Sequence, residues 1–95
     1  MSEAVSYELV GNIGIVSVNN PPVNALAQVV RAGILEAITI AQNDASEAIV
    51  LCCEGRTFIA GADITEFGKP PKEPGLPAAL SAIENSSKPV IAAIH

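Results

Sequence analysis

Large rings are almost missing from this chain. Tyr7, Phe58 and Phe67 are its only aromatic residues and it has no tryptophan. A core built from it must come from valine, isoleucine, leucine and alanine, and at 95 residues such a core is thin for an independent domain. Positive charge is equally scarce. Five Lys/Arg stand against ten Asp/Glu, a formal net charge of −5. No basic patch can form, which argues against nucleic acid and anionic membranes as partners. Clean apolar runs are short. The stretch Ala48-Ile49-Val50-Leu51-Cys52-Cys53 is interrupted at Glu54, far below the roughly 20 residues a membrane span needs. The start, Met1-Ser2-Glu3, has neither a basic region nor an apolar one, so no secretory signal is visible. The expected compartment is a bacterial cytoplasm or an organellar matrix, not the secretory route.

Cysteine and histidine are sparse too. The only two cysteines, Cys52 and Cys53, are adjacent. Neighbouring strand residues point to opposite faces, so a bridge between them is disfavoured. Both read as small buried hydrophobes in a reducing compartment. His95 is the single histidine, and no metal-ligand spacing emerges. What the chain does have is 49% hydrophobic residues and only 16% charged ones, which excludes a disordered chain.

The pattern along the chain alternates strand and helix. Val5–Val10 and Ile13–Val18 are rich in β-formers and separated by Gly11-Asn12, a two-residue hairpin signal. Gly14 suggests a close approach of backbone. Gly11 and Gly14 lack the third glycine and the following helix of a dinucleotide loop. Residues 19–24, with two prolines and three asparagines, cannot form regular structure. Over residues 25–43, Leu26, Val30, Ile34, Ile38 and Ala41 recur at helical spacing. Gly33 sits within that helix, costs about 1 kcal/mol relative to Ala, and is best explained by close packing. The unalternating run 48–53 predicts a strand buried on both faces. Residues 68–77 hold four prolines and two glycines, an extended or mobile connection without a core of its own. Leu76, Leu80 and Ile83 predict a helix over 76–85, and 90–94 predicts another buried strand. The order β-β-α-β-short α-loop-α-β predicts an α/β fold with crossovers. A last apolar strand with an open edge predicts that 1–95 is the N-terminal part of a larger domain.

The segment 58–64, Phe58-Ile59-Ala60-Gly61-Ala62-Asp63-Ile64, carries the chemical interest. It follows a predicted strand. Asp63 with Glu66 three residues later has the form of a capping box, which would place the Ala62 amide just ahead of a helix start. Free N–H groups there could hold an oxyanion on a carbonyl substrate. Small residues at 60, 61 and 62 would let a ligand reach the backbone. From spacing alone, a strand-to-helix turn that uses Gly and Asp only for geometry is the favoured account, and capping explains Asp63 without catalysis.

Three motifs occur in a telling order. The segment 58–64 resembles the signature of the crotonase superfamily, the enoyl-CoA hydratase/isomerase family. Asn20-Pro21-Pro22-Val23-Asn24-Ala25-Leu26 resembles that family's coenzyme A loop. Lys88-Pro89-Val90-Ile91-Ala92-Ala93-Ile94-His95 resembles the strand that leads into its second glycine-rich segment. The wording around Pro22 and Val23 is most similar to the hydratase half of multifunctional β-oxidation enzymes, in which a 3-hydroxyacyl-CoA dehydrogenase part follows. The resemblance implies a crotonase-like ββα-superhelix (spiral fold), N-terminal portion only. It implies that the Ala62 N–H is one of two oxyanion-hole donors to a thioester carbonyl. Pro22, Val23, Ala60, Gly61, Asp63 and Ile64 would surround coenzyme A, with the Ala60 carbonyl toward the adenine, and residues 68–77 would border the acyl pocket. The implied substrate is an acyl-CoA thioester, coenzyme A enters as part of it, and no further cofactor or metal is required. The resemblance also implies a homo-oligomer or part of a multifunctional chain.

The family's second oxyanion amide and its two catalytic glutamates would lie beyond His95. Glu66, Glu73 and Glu84 do not match those glutamates and read as solvated charges, and His95 reads as structural. The resemblance therefore implies enoyl-CoA hydration by the intact protein. Isomerisation, thioester hydrolysis or decarboxylation on the same scaffold remain open, as does a non-catalytic α/β binding module.

Overall fold

The chain is described by a computed structural model covering residues 3–95, apart from the Ile64 side chain; Met1 and Ser2, included in the signal-peptide reading, lie outside it. The first element is the hairpin. β1 (Val5–Val10) pairs antiparallel with β2 (Ile13–Val18), Val10 opposite Ile13 and Val5 opposite Val18. Gly11 adopts φ +62°, the left-handed region that glycine enters without a Cβ penalty, as a two-residue hairpin loop requires. Gly14 faces the Tyr7 ring. A Cβ at position 14 would stand 2.3 Å from the Tyr7 hydroxyl oxygen and 2.9 Å from the ring, so the close approach read from the sequence is real.

From β2 the chain crosses through α1 (Gln28–Gln42) into β3 (Ala48–Cys53), which lies parallel to β2. A second crossover carries a three-residue 3-10 turn (Ile64–Glu66) and α2 (Leu76–Glu84), then enters β4 (Val90–Ala92), parallel to β3. The spatial order is β1-β2-β3-β4, the same as the sequence order. This is the mixed α/β arrangement expected.

One face of the sheet is sealed by α1. Val30, Ile34, Ala37, Ile38 and Ala41 meet Val5, Val16, Val18, Ile49, Leu51 and Cys53; this is the apolar stripe read from the 3.6-residue period, except that α1 starts at Gln28, so Leu26 lies in the preceding loop and Ala37 joins the face. α2 packs beside α1, and its Ala82 and Ile83 rest against the same core. Three details differ from the sequence reading. β3 is not buried on both faces: Ile49, Leu51 and Cys53 point into the core while Ala48, Val50 and Cys52 are half-buried, because the helices cover one side only. Cys52 is accordingly not a core residue; its thiol lies 3.4 Å from the Ser17 hydroxyl. β4 stops at Ala92 and is mostly exposed, Ile91 at 53% and Ile94 at 75%, because it pairs on one side and only Val90 reaches the core.

The connections entering β3 and β4 are tied at the amino ends of those strands by a polar knot. The Lys88 ammonium donates to the Asp44 carbonyl at 3.0 Å, to the Asp44 carboxylate at 3.2 Å and to the Ala41 carbonyl. Tyr7 and Ser46 hydroxyls donate to the same carboxylate. These bonds hold the Asp44 carboxyl well below the usual carboxylate range, Ser46 and then Tyr7 contributing most.

Candidate active site

The site is assembled at the carboxyl ends of β2 and β3. Two connections leave the sheet there side by side, because their strands are parallel neighbours. The first is the 20–26 loop. Asn24 fixes it. Its backbone takes φ +56°, which Asn tolerates better than most residues. Its side chain is buried at 3% exposure. The Asn24 amide group donates to the carbonyls of Glu54 (2.9 Å) and Thr57 (2.7 Å), and its oxygen accepts from the Asn20 N–H (2.7 Å). The loop is thereby stitched to the turn that follows β3.

The second connection is the 58–63 stretch. Phe58 and Ile59 pack against the core and anchor it. It then runs beside the first loop: the Ala60 N–H donates to the Val23 carbonyl (3.2 Å) and the Leu26 N–H to the Gly61 carbonyl (2.7 Å), with Leu26 and Ala62 paired in a parallel bridge. Gly61 has φ +119°, a conformation that side chains rarely adopt.

That pairing aims the Ala62 amide. The Gly61 carbonyl and the Ala62 N–H belong to one planar trans peptide and leave it in opposite directions. The carbonyl points at Leu26, so the N–H points away from the 20–26 loop. Among the described residues, no protein acceptor takes this hydrogen. Ala62 also lines a cavity of about 390 Å³, together with Arg31, Glu66, Phe67, Lys72 and Leu76, a volume within the usual range for small-ligand pockets. A donor with no internal partner among the described residues, on a residue that lines space a ligand could fill, can stabilise negative charge on a carbonyl oxygen.

The local electrostatics are not those read from the sequence. The element after Ala62 is a three-residue 3-10 turn, too short for a helix dipole of consequence. Asp63 does cap it, its carboxylate accepting from the Thr65 N–H (2.9 Å) and hydroxyl (2.7 Å), the cause of its lowered pKa. The second half of the capping box does not form. Glu66 turns outward from its own turn and accepts from the Gln28 N–H at 2.9 Å, so it caps the start of α1, which has no side-chain cap of its own. Its other oxygen meets the Arg31 guanidinium at 3.0 Å. Glu66 is thus not a solvated surface charge: these bonds, Gln28 first and Arg31 next, lower its pKa. Glu73 and Glu84 are exposed. His95 stands 3.0 Å from the Gly55 carbonyl, to which a protonated ring nitrogen would donate.

Pro22, Val23, Ala60, Gly61, Ala62 and Asp63 are therefore brought together in two adjoining segments. Ala62 and Asp63 line the cavity, whereas Pro22, Val23, Ala60 and Gly61 are not among its described lining and sit toward the loop side. Pro22, Val23, Ala60 and Ala62 are exposed, Gly61 and Asp63 half-buried. Three residues at this site were not singled out from the sequence for their roles here: Asn24, Arg31 and Glu66. One signal was available. Arg31 and Glu36 are the only charges in the fifteen residues of α1, and Arg31 lies next to the apolar stripe.

Comparison with known proteins bears on the family and the fold. Residues 8–95 match the family model for enoyl-CoA hydratase/isomerase. A peroxisomal bifunctional enzyme of Danio rerio is 44% identical over 91 residues, covering 94% of this chain and 13% of that protein. A Bacillus subtilis (strain 168) protein named "Probable enoyl-CoA hydratase" is 34% identical over 100 residues, covering 97% of this chain and 39% of the relative. A solved structure from Magnetospirillum magneticum AMB-1, named as a candidate enoyl-CoA hydratase/carnithine racemase, superposes with a TM-score of 0.90 at 27% identity, over 100% of this chain and 39% of the other. The chain thus spans well under half the length of these relatives.

Proposed function

The chain belongs to the enoyl-CoA hydratase/isomerase family, and from that premise we propose that the whole protein adds water to 2-enoyl-CoA thioesters, giving 3-hydroxyacyl-CoA. The fold of this segment is the crotonase fold of its structural neighbours. One observation carries the catalytic reading: the Ala62 N–H has no internal acceptor among the described residues, is directed by the Leu26–Gly61 pairing, and borders a cavity.

In this reading the Ala62 amide donates to the thioester carbonyl oxygen. Charge moves onto that oxygen as water adds at Cβ and the resulting enolate is protonated at Cα. The amide is one of two such donors; the second, with the carboxylates that position water and move the proton, comes from the rest of the protein. In the same reading Pro22, Val23, Ala60, Gly61, Asp63 and Ile64 form the edge along which coenzyme A lies; of these, Pro22, Val23 and Ala60 are exposed. Hydration is redox-neutral, so the reaction as proposed calls for no electron carrier; coenzyme A arrives with the substrate. The hydratase half of a multifunctional β-oxidation enzyme, working in an organellar matrix or bacterial cytoplasm, is the setting the sequence favours. Among the described residues, no helix is long and apolar enough to cross a membrane.

The test is Ala62→Pro in the full-length protein, which deletes the N–H. Loss of an oxyanion donor costs on the order of 3 kcal/mol, about 100-fold or more in turnover. Hydration of crotonyl-CoA, followed by loss of the enoyl absorbance, should fall at least that far while a non-reactive acyl-CoA still binds. Turnover equal to wild type refutes the role of Ala62.

A further inference from the structure

Arg31 is buried, with 10% of its side chain exposed, and its donors reach four separate acceptors. Nη1 donates to the Leu26 carbonyl (2.7 Å) and to Glu66 Oε1 (3.0 Å), Nε to the Pro74 carbonyl (2.8 Å), and Nη2 to the Lys72 carbonyl (3.2 Å). Gln28 adds a bond from its side-chain amide to the Glu73 carbonyl (2.8 Å).

These contacts close a ring around one peptide. Leu26 holds the Gly61 carbonyl through its N–H, and its own carbonyl is held by Arg31. Arg31 holds Glu66, and Glu66 is joined through 63–65 back to Ala62. The short covalent link 63–65 is itself braced by Asp63 and Thr65. From the same guanidinium, two more bonds run to residues 72 and 74, beside the Lys72 and Gly75 wall of the cavity. One planar group thus sets both the direction of the Ala62 N–H and the width of the space in front of it. A partly buried ion pair of this kind is a weak source of stability, because desolvation offsets the attraction. Fixed geometry is the use that fits four acceptors from three stretches of the chain, at 26, 66 and 72–74, bridged by one forked guanidinium.

We propose that the Arg31–Glu66 pair is a positioning device for the oxyanion donor, holding the Ala62 amide at the angle and distance that a thioester carbonyl needs. This rests on the hydratase reading above, and its test separates the two. In the full-length protein, Arg31→Lys keeps a charge but loses the fork, and Glu66→Gln keeps an acceptor for the Gln28 amide but loses the charge facing Arg31. Lys88→Ala, at the far end of the sheet, serves as a control for simple loss of stability. Two readouts are needed: kcat and KM for crotonyl-CoA hydration, and the infrared carbonyl stretch of a bound, non-reactive acyl-CoA thioester, which reports how strongly the hole polarises it. Misplacing a catalytic contact without removing it costs on the order of 10- to 100-fold, so kcat should fall about that much in both variants, with a smaller change in KM. The carbonyl band should move back toward its position in free thioester. Lys88→Ala should lower the unfolding midpoint and leave kcat and the band unchanged. If Arg31→Lys does not fold, as judged by circular dichroism, Glu66→Gln alone decides. Unfolding of both variants assigns the pair to stability and overturns the proposal, as do folded variants with wild-type kcat and band. A wild-type protein that neither hydrates the thioester nor shifts its band overturns the hydratase reading itself.

Discussion

Replacing Gly33 by alanine sets two known effects against each other. Alanine is the better helix former by about 1 kcal/mol, so propensity alone predicts a more stable α1. Packing predicts the opposite. A Cβ at position 33 would stand 2.5 Å from Val5 Cβ and 2.6 Å from Val5 Cγ2. Carbon atoms pack at roughly 3.5–4.0 Å, so helix and strand must separate by about 1 Å. Val5 cannot swing clear: its Cβ is fixed to the backbone of β1, and it is fully buried. At Gly14, by contrast, the obstructing atoms belong to the far end of the Tyr7 side chain. Opening the α1–β1 contact loosens the core around Val16, Ile34 and Ile38, and overpacking of this kind costs about 1–3 kcal/mol. Set against the propensity gain, the balance is a loss of up to about 2 kcal/mol. Each kcal/mol is worth about 2–4 °C in a domain of 150–250 residues. Thermal unfolding of the full-length protein should therefore show Gly33→Ala melting several degrees lower. Val5→Gly removes the Cβ and both γ-methyls, so adding Gly33→Ala to it should cost at least about 0.5 kcal/mol less than adding it to wild type. A midpoint that rises in the single variant, or strict additivity in the pair, refutes the packing argument.

Two further outcomes follow from the titrating groups. The Asp44 carboxyl is depressed by its bonds to Ser46, Tyr7 and Lys88. Its folded pKa lies below its unfolded value of about 3.9, so its contribution is complete above that value and is lost as pH falls through the folded pKa. Denaturant titrations from pH 6 down to 2 should show Asp44→Asn less stable than wild type at pH 6, with the gap narrowing below about pH 4 and not yet closed at pH 2; a constant difference across that range contradicts the assignment. The Cys53 thiol is pushed up by burial, whereas Cys52 lies half-buried on the opposite face. Brief alkylation of the native protein at pH 8, read by peptide mass spectrometry, should label Cys52 before Cys53, and the reverse order contradicts the placement of the two thiols.

Legibility in the sequence followed the range of the interaction. The hairpin at Gly11-Asn12 was readable because turn chemistry is local, and the α1 face because its period is written in five side chains. The two segments of the candidate site were recognisable as family motifs, yet their wording did not reveal the Leu26–Gly61 bond that orients the amide. The capping-box reading of Asp63 and Glu66 was half right. Asp63 serves its own turn, but Glu66 is drawn to Gln28 and Arg31, more than thirty residues away in sequence, and a spacing rule carries no information about such partners. β3 and β4 look alike as apolar runs. Their different burial comes from where the helices lie, which is a property of the assembled layers.

Open α/β sheets usually take ligands at a crevice where the strand order reverses and neighbouring connections diverge to opposite faces. Here β1-β2-β3-β4 advances without a reversal, so the described residues form no such crevice. The three parallel strands instead deliver their exits to the same corner. The exits of β2 and β3 already touch, and the segment leaving β4 arrives there too, with His95 beside Gly55. A fold that grows by one strand at a time in a single direction can thus add working parts to one place in the order in which they are synthesised.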